Sequence, residues 1–336
     1  MAAPAVARTP NAATPPILLL NASSGAAAGA AEASHPALAE VQKALEAHGL
    51  HAAVVIESGD RVAARARRAV SEGCRLVVAG GGDGTISAVA SALVDSDATL
   101  GVLPLGTLNH FAKDLGIPLD VAGAVGVLAA GHTRAVDVGE VNGRVFINNS
   151  SLGLYPSLVY QREKRQAQGR RKWVAFVLAL ARVWRAYRRV RVIVHTEDGI
   201  RMIRTPFVFV GNNEYQLEGV RIGARARVDQ GRLHVSMAPG LSRGQLLRVL
   251  GRALVGRLSA VDHLDTLLTD EVTIAAWRRR LPVALDGEVT LVPTPLRYRT
   301  RPGALRVCVP ADHPAGPRGL VANDRPGDGV ERPARV

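Results

Sequence analysis

Apolar residues first appear as a compact block at 17–20, then recur at intervals of three and four through Leu38, Val41 and Leu45 up to Gly49. The first pattern predicts a short buried strand and the second an amphipathic helix. The pairing repeats: strand 52–56, helix 60–71, strand 75–79, a helix carrying Ile86, Val89, Ala90 and Leu93, then strand 100–103. Strands alternating with helices at these spacings predict an α/β domain with a doubly wound, mostly parallel sheet over residues 16–132. Beyond Gly131 the apolar period falls to two. Runs at 136–141 and 145–149 flank Asn142-Gly143, runs at 189–196 and 200–210 flank Asp198-Gly199, and shorter ones follow at 233–237, 271–275, 283–286, 288–292 and 304–309. Asn-Gly and Asp-Gly between alternating runs are hairpin signals. Residues 133–309 are therefore expected to form an antiparallel β-sandwich domain.

Ligands of a doubly wound sheet bind outside the carboxyl ends of its strands. Three predicted strand ends deliver polar loops to that edge: Asn21-Ala22-Ser23-Ser24-Gly25, Gly80-Gly81-Gly82-Asp83-Gly84-Thr85, and Gly106-Thr107-Leu108-Asn109. The second lies between a strand and a helix, where glycine backbone can approach an anion closely and the helix dipole attracts it. Asp83 or Thr85 can cap that helix. Glycine loses more backbone entropy on folding than any other residue, so four glycines within residues 80–84 point to a phosphate site rather than an ordinary turn. The pattern is neither a Gly-Lys-Ser/Thr phosphate loop nor the GxGxxG of dinucleotide folds.

A chain of 336 residues with 47% hydrophobic residues can build two cores. Cys74 and Cys308 lie in apolar runs without metal-ligand spacing, which fits a reducing, cytoplasmic compartment and no disulfide framework. The nine histidines form no HExxH-like group, which argues against zinc. The net charge of +13 is concentrated: residues 161–191 hold eleven Lys/Arg against Glu163 alone. Within that stretch, at about 169–189, Trp173, Phe176, Val177, Leu180, Val183, Trp184 and Tyr187 share one helical face while Arg182, Arg185 and Arg189 fall off it. This cationic helix either packs its stripe on the β domain or lies on an anionic membrane surface, and its apolar run is too short to span one. Aromatic residues make up 4% of the chain, with no RNA-binding signature, so nucleic acid is not expected as a partner. Residues 1–15, rich in Ala and Pro, are expected to be a disordered leader rather than a signal peptide, and residues 310–336 a disordered tail.

The loops resemble those of the diacylglycerol kinase catalytic family, the lipid kinases that include bacterial soluble diacylglycerol kinases and sphingosine and ceramide kinases. Four landmarks carry the resemblance: Asn21 to Gly25, Gly80 to Thr85, Pro104-Leu105-Gly106-Thr107-Leu108-Asn109-His110-Phe111-Ala112, and Leu285-Asp286-Gly287-Glu288. Gly211-Asn212-Asn213 and Asp229-Gln230-Gly231 look like further landmarks. A GGDGT turn is shared with NAD kinases, so the third and fourth landmarks make the resemblance specific. It implies transfer of the γ-phosphoryl group of ATP to a lipid hydroxyl, with diacylglycerol or a sphingoid or ceramide-like lipid as acceptor. Asn21, Ser24, Gly25, Gly80, Gly81, Gly82, Asp83, Gly84, Thr85, Gly106, Thr107 and Asn109 would then surround ATP and its Mg²⁺. Asp83 would organise metal or phosphate, and Asp286 or Glu288 would act as general base, the two being inseparable on sequence. Read from spacing alone, Asp286-Gly287 is a plain hairpin turn. Ala22, His110 and Gln230 depart from the family pattern. Asp229 and Gln230 stand where the family offers ligands to a structural Mg²⁺, although glutamine replaces a carboxylate there. The resemblance also implies peripheral association with the inner face of the plasma membrane, and a homodimer stays open. The rival readings are an NAD kinase-like small-molecule kinase and a non-catalytic lipid- or nucleotide-binding protein.

Overall fold

The computed structural model describes residues 14–22, 37–153, 190–196, 199–218, 221–225, 227–237, 244 and 265–312. Ser24, Gly25 and the expected cationic helix lie outside the described residues, as do residues 1–13 and 313–336.

The alternating first part forms β1 (Ile17–Asn21), α1 (Leu38–Ala47), β2 (Ala53–Glu57), α2 (Gly59–Ser71), β3 (Leu76–Gly81), α3 (Asp83–Leu93), β4 (Thr99–Pro104), the short α4 (His110–Asp114) and α5 (Val121–Ala130). β1 pairs in parallel with β2 and β3, and β3 with β4. Parallel strands are covered on both faces, so their apolar runs are continuous. Leu18, Leu20, Val78 and Val102 meet Val41, Val62, Ile86, Val89 and Leu128 of the helices in one core. Each such aliphatic side chain contributes roughly 1.5–3 kcal/mol by leaving water. Leu20 stands beside Gly80 and Gly81 beside Pro104, so the three strand ends reach one edge together.

The second part forms β5 (Thr133–Val141), β6 (Arg144–Phe146), β7 (Asn149–Gly153), β8 (Val190–Thr196), β9 (Gly199–Thr205), β10 (Phe207–Asn212), β11 (Tyr215–Glu218), β12 (Arg221–Arg225), β13 (Leu233–Met237), β14 (Asp265–Thr269), β15 (Glu271–Ala275), β16 (Arg280–Leu285), β17 (Glu288–Pro293) and β18 (Leu296–Cys308). One sheet runs β14-β13-β10-β7-β16-β17, while β18, β15, β8 and β9 extend the first sheet beyond β4. Between the two sheets lies a second core of Phe146, Leu152, Val194, Val210, Val235, Ile274, Val283 and Tyr298. An α/β domain followed by a β-sandwich is the architecture.

Three expected runs divide or lengthen. The 200–210 run is two strands in two sheets, because Pro206 has no N–H to continue the ladder: β9 pairs with β8, and β10 with β13 and β7. The 145–149 run breaks at Ile147 and Asn148, where the chain leaves the first sheet for the second. The run at 304–309 is the end of a thirteen-residue strand, β18, whose Arg306 and Val307 pair in parallel with Thr99 and Leu100 of β4. Leu305, Val307 and Val309 consequently pack in the first core.

Candidate active site

At the edge where β1, β3 and β4 end, short polar contacts join the loops. The Asn21 amide donates to Thr85 Oγ1 at 2.8 Å, fastening the end of β1 to the first turn of α3. No side chain caps α3, so the first-turn amides of this eleven-residue helix keep their donor capacity. Gly82 and Gly106 bring two loops into backbone contact: a Cβ on Gly106 would stand 2.4 Å from Gly82 Cα and 2.9 Å from Asn109 Oδ1. Only glycine permits that approach. A Cβ on Gly80 would likewise meet Leu20 Cδ2 at 2.4 Å.

Asn109 braces its own loop. It holds a left-handed backbone (φ 50°), its amide donates to the Pro104 and Gly106 carbonyls at 3.1 and 2.8 Å, and its Oδ1 accepts the Gly106 N–H at 3.0 Å. Thr107 is exposed at the loop tip. Asp83 Oδ1 accepts the Phe111 N–H at 3.2 Å, joining the start of α3 to the start of α4.

The two candidate acids at the β16–β17 turn differ completely in their surroundings. Asp286, at φ 46°, accepts four hydrogen bonds: Oδ2 takes the Ser87 hydroxyl (2.5 Å) and the Ile147 N–H (2.8 Å), and Oδ1 takes the Asn148 and Asn149 N–H groups (2.8 and 3.0 Å). Every lone-pair direction of the carboxylate is thereby used. Burial pushes its pKa above the usual carboxylate range, and Ser87 and the three amides pull against that rise. Glu288 is exposed and its carboxylate has no hydrogen-bond or ion-pair partner among the described residues. Its Oε1 lies 3.6 Å from the place a Cβ would take on Gly84, over the start of α3. The phosphate-type turn and the acid hairpin, some 200 residues apart in sequence, meet here.

Behind the acids sits a cation that sequence reasoning missed. Arg225 is buried, with Nε and its backbone N–H on the Asp114 carboxylate (2.7 and 3.3 Å), Nη1 on the Ile147 and Asn212 carbonyls (2.8 and 3.0 Å) and Nη2 on Asn148 Oδ1 (2.8 Å). The guanidinium also lies 5.7 Å from the Tyr215 ring centroid. Asn212, a landmark residue, donates to the Asp137 and Ile147 carbonyls.

Family models match both halves of this arrangement: "Diacylglycerol kinase catalytic domain" over residues 15–141 and "YegS C-terminal NAD kinase beta sandwich-like domain" over residues 158–309. The chain belongs to the diacylglycerol kinase catalytic family. A probable lipid kinase YegS-like of Pseudomonas aeruginosa is 34% identical over 270 residues, covering 78% of this chain and 85% of the relative. Its Klebsiella pneumoniae counterpart is 28% identical over 291 residues, 84% and 94% of the two chains. A putative diacylglycerol kinase of Bacillus anthracis shares the fold with a TM-score of 0.68 at 20% identity, covering 89% of this chain and 98% of that one. As a diacylglycerol kinase family member the chain is an enzyme, a phosphotransferase.

Family membership implies ATP and Mg²⁺ in general terms, and the residues at the strand edge fit a phosphate group. The first turn of α3 is uncapped, the glycines around it carry no side chain, and Asp83 keeps one carboxylate oxygen without a partner among the described residues. The second metal position fails the same test. Asp229 gives Oδ2 to Arg134 (2.5 Å) and Oδ1 to Arg227 (3.1 Å), and Gln230 Oε1 accepts the Glu214 N–H (3.2 Å). Two guanidinium groups already neutralise the carboxylate, so Asp229 and Gln230 do not suit a divalent cation. Among the described residues no group of three or more His, Cys, Asp or Glu could hold a metal.

Ser87 follows Asp83 by one helical turn, and with Thr85 and Ser91 on the same helix its hydroxyl carried no distinguishing signal. Arg225 and Asp114 carried none, since nothing local distinguishes them from the other charged residues nearby until folding buries them.

Proposed function

We propose that the enzyme is an ATP-dependent lipid kinase that transfers the γ-phosphoryl group to the hydroxyl of diacylglycerol or of a sphingoid or ceramide-like lipid. One observation carries the reading: the unpartnered carboxylate of Glu288 stands over the uncapped start of α3 at Gly84. A base and an anion-holding helix end at that distance are what transfer to an alcohol requires.

In this mechanism the amides of residues 82–85 and the dipole of α3 hold the phosphates, with Asp83 beside them. Asn21 and Thr85 set the first turn of α3, and Gly106 and Asn109 set the opposing loop. Glu288 accepts the proton of the lipid hydroxyl as its oxygen forms the new bond to the γ-phosphorus. The bond from that phosphorus to the bridging oxygen breaks, and ADP leaves with its electrons. Mg²⁺, when bound, neutralises charge on the phosphoryl oxygens. Asp286 is unsuited to the proton, because four donors occupy it; it positions the hairpin on Ser87 and residues 147–149. Residues 16–132 would hold the nucleotide and residues 133–309 the lipid. No helix among the described residues is long and apolar enough to cross a membrane. We place the enzyme at an anionic membrane surface, which its lipid acceptor and net charge of +13 support.

The test is incubation of the purified protein with γ-labelled ATP and a dispersion of diacylglycerol, ceramide and a sphingoid base. Label in one of the lipids is expected. Label in added NAD alone, or ATP binding with no labelled product, would reject the reading.

A further inference from the structure

The β16–β17 hairpin has a second end and an outer face that the reaction does not use. Val289 and Leu291 of β17 are 53% and 60% exposed, and Pro293 continues the same face by the two-residue alternation. Directly opposite Leu291 and Pro293 on β16 stand Pro282 and Arg280, both exposed. The inner face of the same strands, with Leu281, Val283 and Val292, is buried in the second core. β17 is the last strand of its sheet, and Ala284, opposite Val289, is buried, so the exposed strip runs along β17 and the start of β16.

At the end remote from the acids the strip runs into Trp277, 91% exposed, followed by Arg278, Arg279 and Arg280, all exposed. None of the three arginines has an ion-pair partner among the described residues. The turn is nonetheless fixed: Thr294 donates its hydroxyl to the Arg278 carbonyl (2.5 Å) and its N–H to the Arg279 carbonyl (3.0 Å). A fully exposed indole on a pinned turn, beside three uncompensated guanidinium groups and continuous with exposed Leu and Val, has the chemistry of a membrane-interface anchor.

We infer that the outer face of the β16–β17 hairpin, from Trp277 and Arg278–Arg280 to Val289, docks on an anionic bilayer. The inference rests on the lipid-kinase reading for its purpose. Six residues of β16 span about 17 Å, so a hairpin lying on the headgroups would place its acid tip, Asp286 to Glu288, one hairpin length from the anchor. Glu288, paired with Leu285, lies on the inner face of the hairpin, so the strip would anchor the hairpin and take no part in the site itself. Charge complementarity favours the bilayer over a second copy of this chain, which is itself strongly cationic. Pro293, lacking an N–H, also blunts β17 as a pairing edge.

The chain has three tryptophans, so Trp173→Phe/Trp184→Phe leaves Trp277 as its sole indole. This variant is mixed with phosphatidylcholine vesicles containing phosphatidylglycerol, with and without brominated acyl chains. Blue-shifted Trp277 emission quenched by the brominated lipid is expected, and the effect should vanish in pure phosphatidylcholine. In the full chain, changing Arg278, Arg279 and Arg280 together to Gln should weaken vesicle partitioning about 100-fold, at about 1 kcal/mol per arginine near an anionic surface. Turnover of a short-chain soluble acceptor should stay unchanged in both variants. Unquenched, water-like Trp277 emission while the protein floats with the vesicles would overturn the inference. So would a solution dimer that Leu291→Ser dissociates with vesicle binding intact, which would assign the strip to a second copy. Loss of turnover on every acceptor in the wild-type chain would instead count against the kinase reading, since quenching is read without ATP.

Discussion

Arg225 and Asp286 grip the same stretch of backbone from two sides. The guanidinium takes the Ile147 carbonyl and the Asn148 side-chain oxygen, while the carboxylate takes the N–H groups of Ile147, Asn148 and Asn149. Arg225 is held in turn by Asp114 of α4, Asp286 by Ser87 of α3, and α3 is joined to α4 through Asp83 and Phe111. The ring of contacts closes around the point where the chain passes between sheets, and it ties the glycine-rich turn to the acid hairpin.

Breaking that ring should be costly. Arg225→Met leaves Asp114, whose side chain is 8% exposed, without its partner, and loss of one member of a buried pair costs about 3–5 kcal/mol. Urea denaturation should show this, and Asp114→Leu combined with Arg225→Met should recover part of it. A loss below about 1 kcal/mol in the single variant would mean that water already reaches the site.

Gly106→Ala tests the contact between the Gly82 and Gly106 loops. Its Cβ would enter at 2.4 Å from Gly82 Cα, where only backbone movement can make room, at about 1–3 kcal/mol. Weaker ATP binding by calorimetry should accompany the destabilisation. Gly82→Ala is the useful contrast: its Cβ meets Gly106 Cα at an ordinary 3.5 Å, so stability should hold while close anion approach is lost.

The arginine pairing of Asp229 makes a metal prediction. The melting temperature of the ATP-free protein should be the same in EDTA and in millimolar Mg²⁺, whereas Arg134→Gln should lower stability by about 1–3 kcal/mol by leaving a buried carboxylate underpaired. A clear fall in Tm on chelation would restore a structural cation to Asp229 and Gln230.

Much of this was legible in the sequence, for a physical reason. Parallel strands buried on both faces leave apolar blocks, and loops whose backbones touch leave glycines, so β1, β3, β4 and their loops could be placed from residues 17–109. The acids at 286 and 288 were visible as a turn and, by resemblance, as two candidates for one base, and the difference between their surroundings was not. Which carboxylate is satisfied depends on Ser87 and on amides 137–139 positions away, and no local pattern reports such contacts. The same holds for β18, whose apolar run gives no sign that it will pair with β4. Pro206 was a readable break within 200–210, overridden by the even alternation around it.

Acid should weaken the fold through His234. Its Nδ1 accepts the Tyr215 N–H (3.2 Å) and its Nε2 lies 2.9 Å from Ser236 Oγ, an arrangement suited to the neutral ring. Burial holds its pKa below the ordinary 6.5, against a smaller upward pull from Glu214. Below pH 6.5 the unfolded chain binds a proton at this ring that the native state refuses, down to the lower folded pKa. Stability is therefore full above that pH and declines as pH falls through the window. His234→Gln should flatten the slope in urea titrations between pH 7 and pH 5, and an unchanged slope would assign it to other groups.

The division of labour between the two acids is the centre of the account, and Glu288→Gln tests it most directly. Glu288 is exposed and unpartnered, so the variant should keep its stability within about 0.5 kcal/mol. Its kcat with ATP and diacylglycerol in mixed micelles should fall by a factor of about 10²–10⁴, the usual contribution of a general base, with ATP affinity unchanged. A folded Glu288→Gln protein that phosphorylates lipid at the wild-type rate would contradict the account.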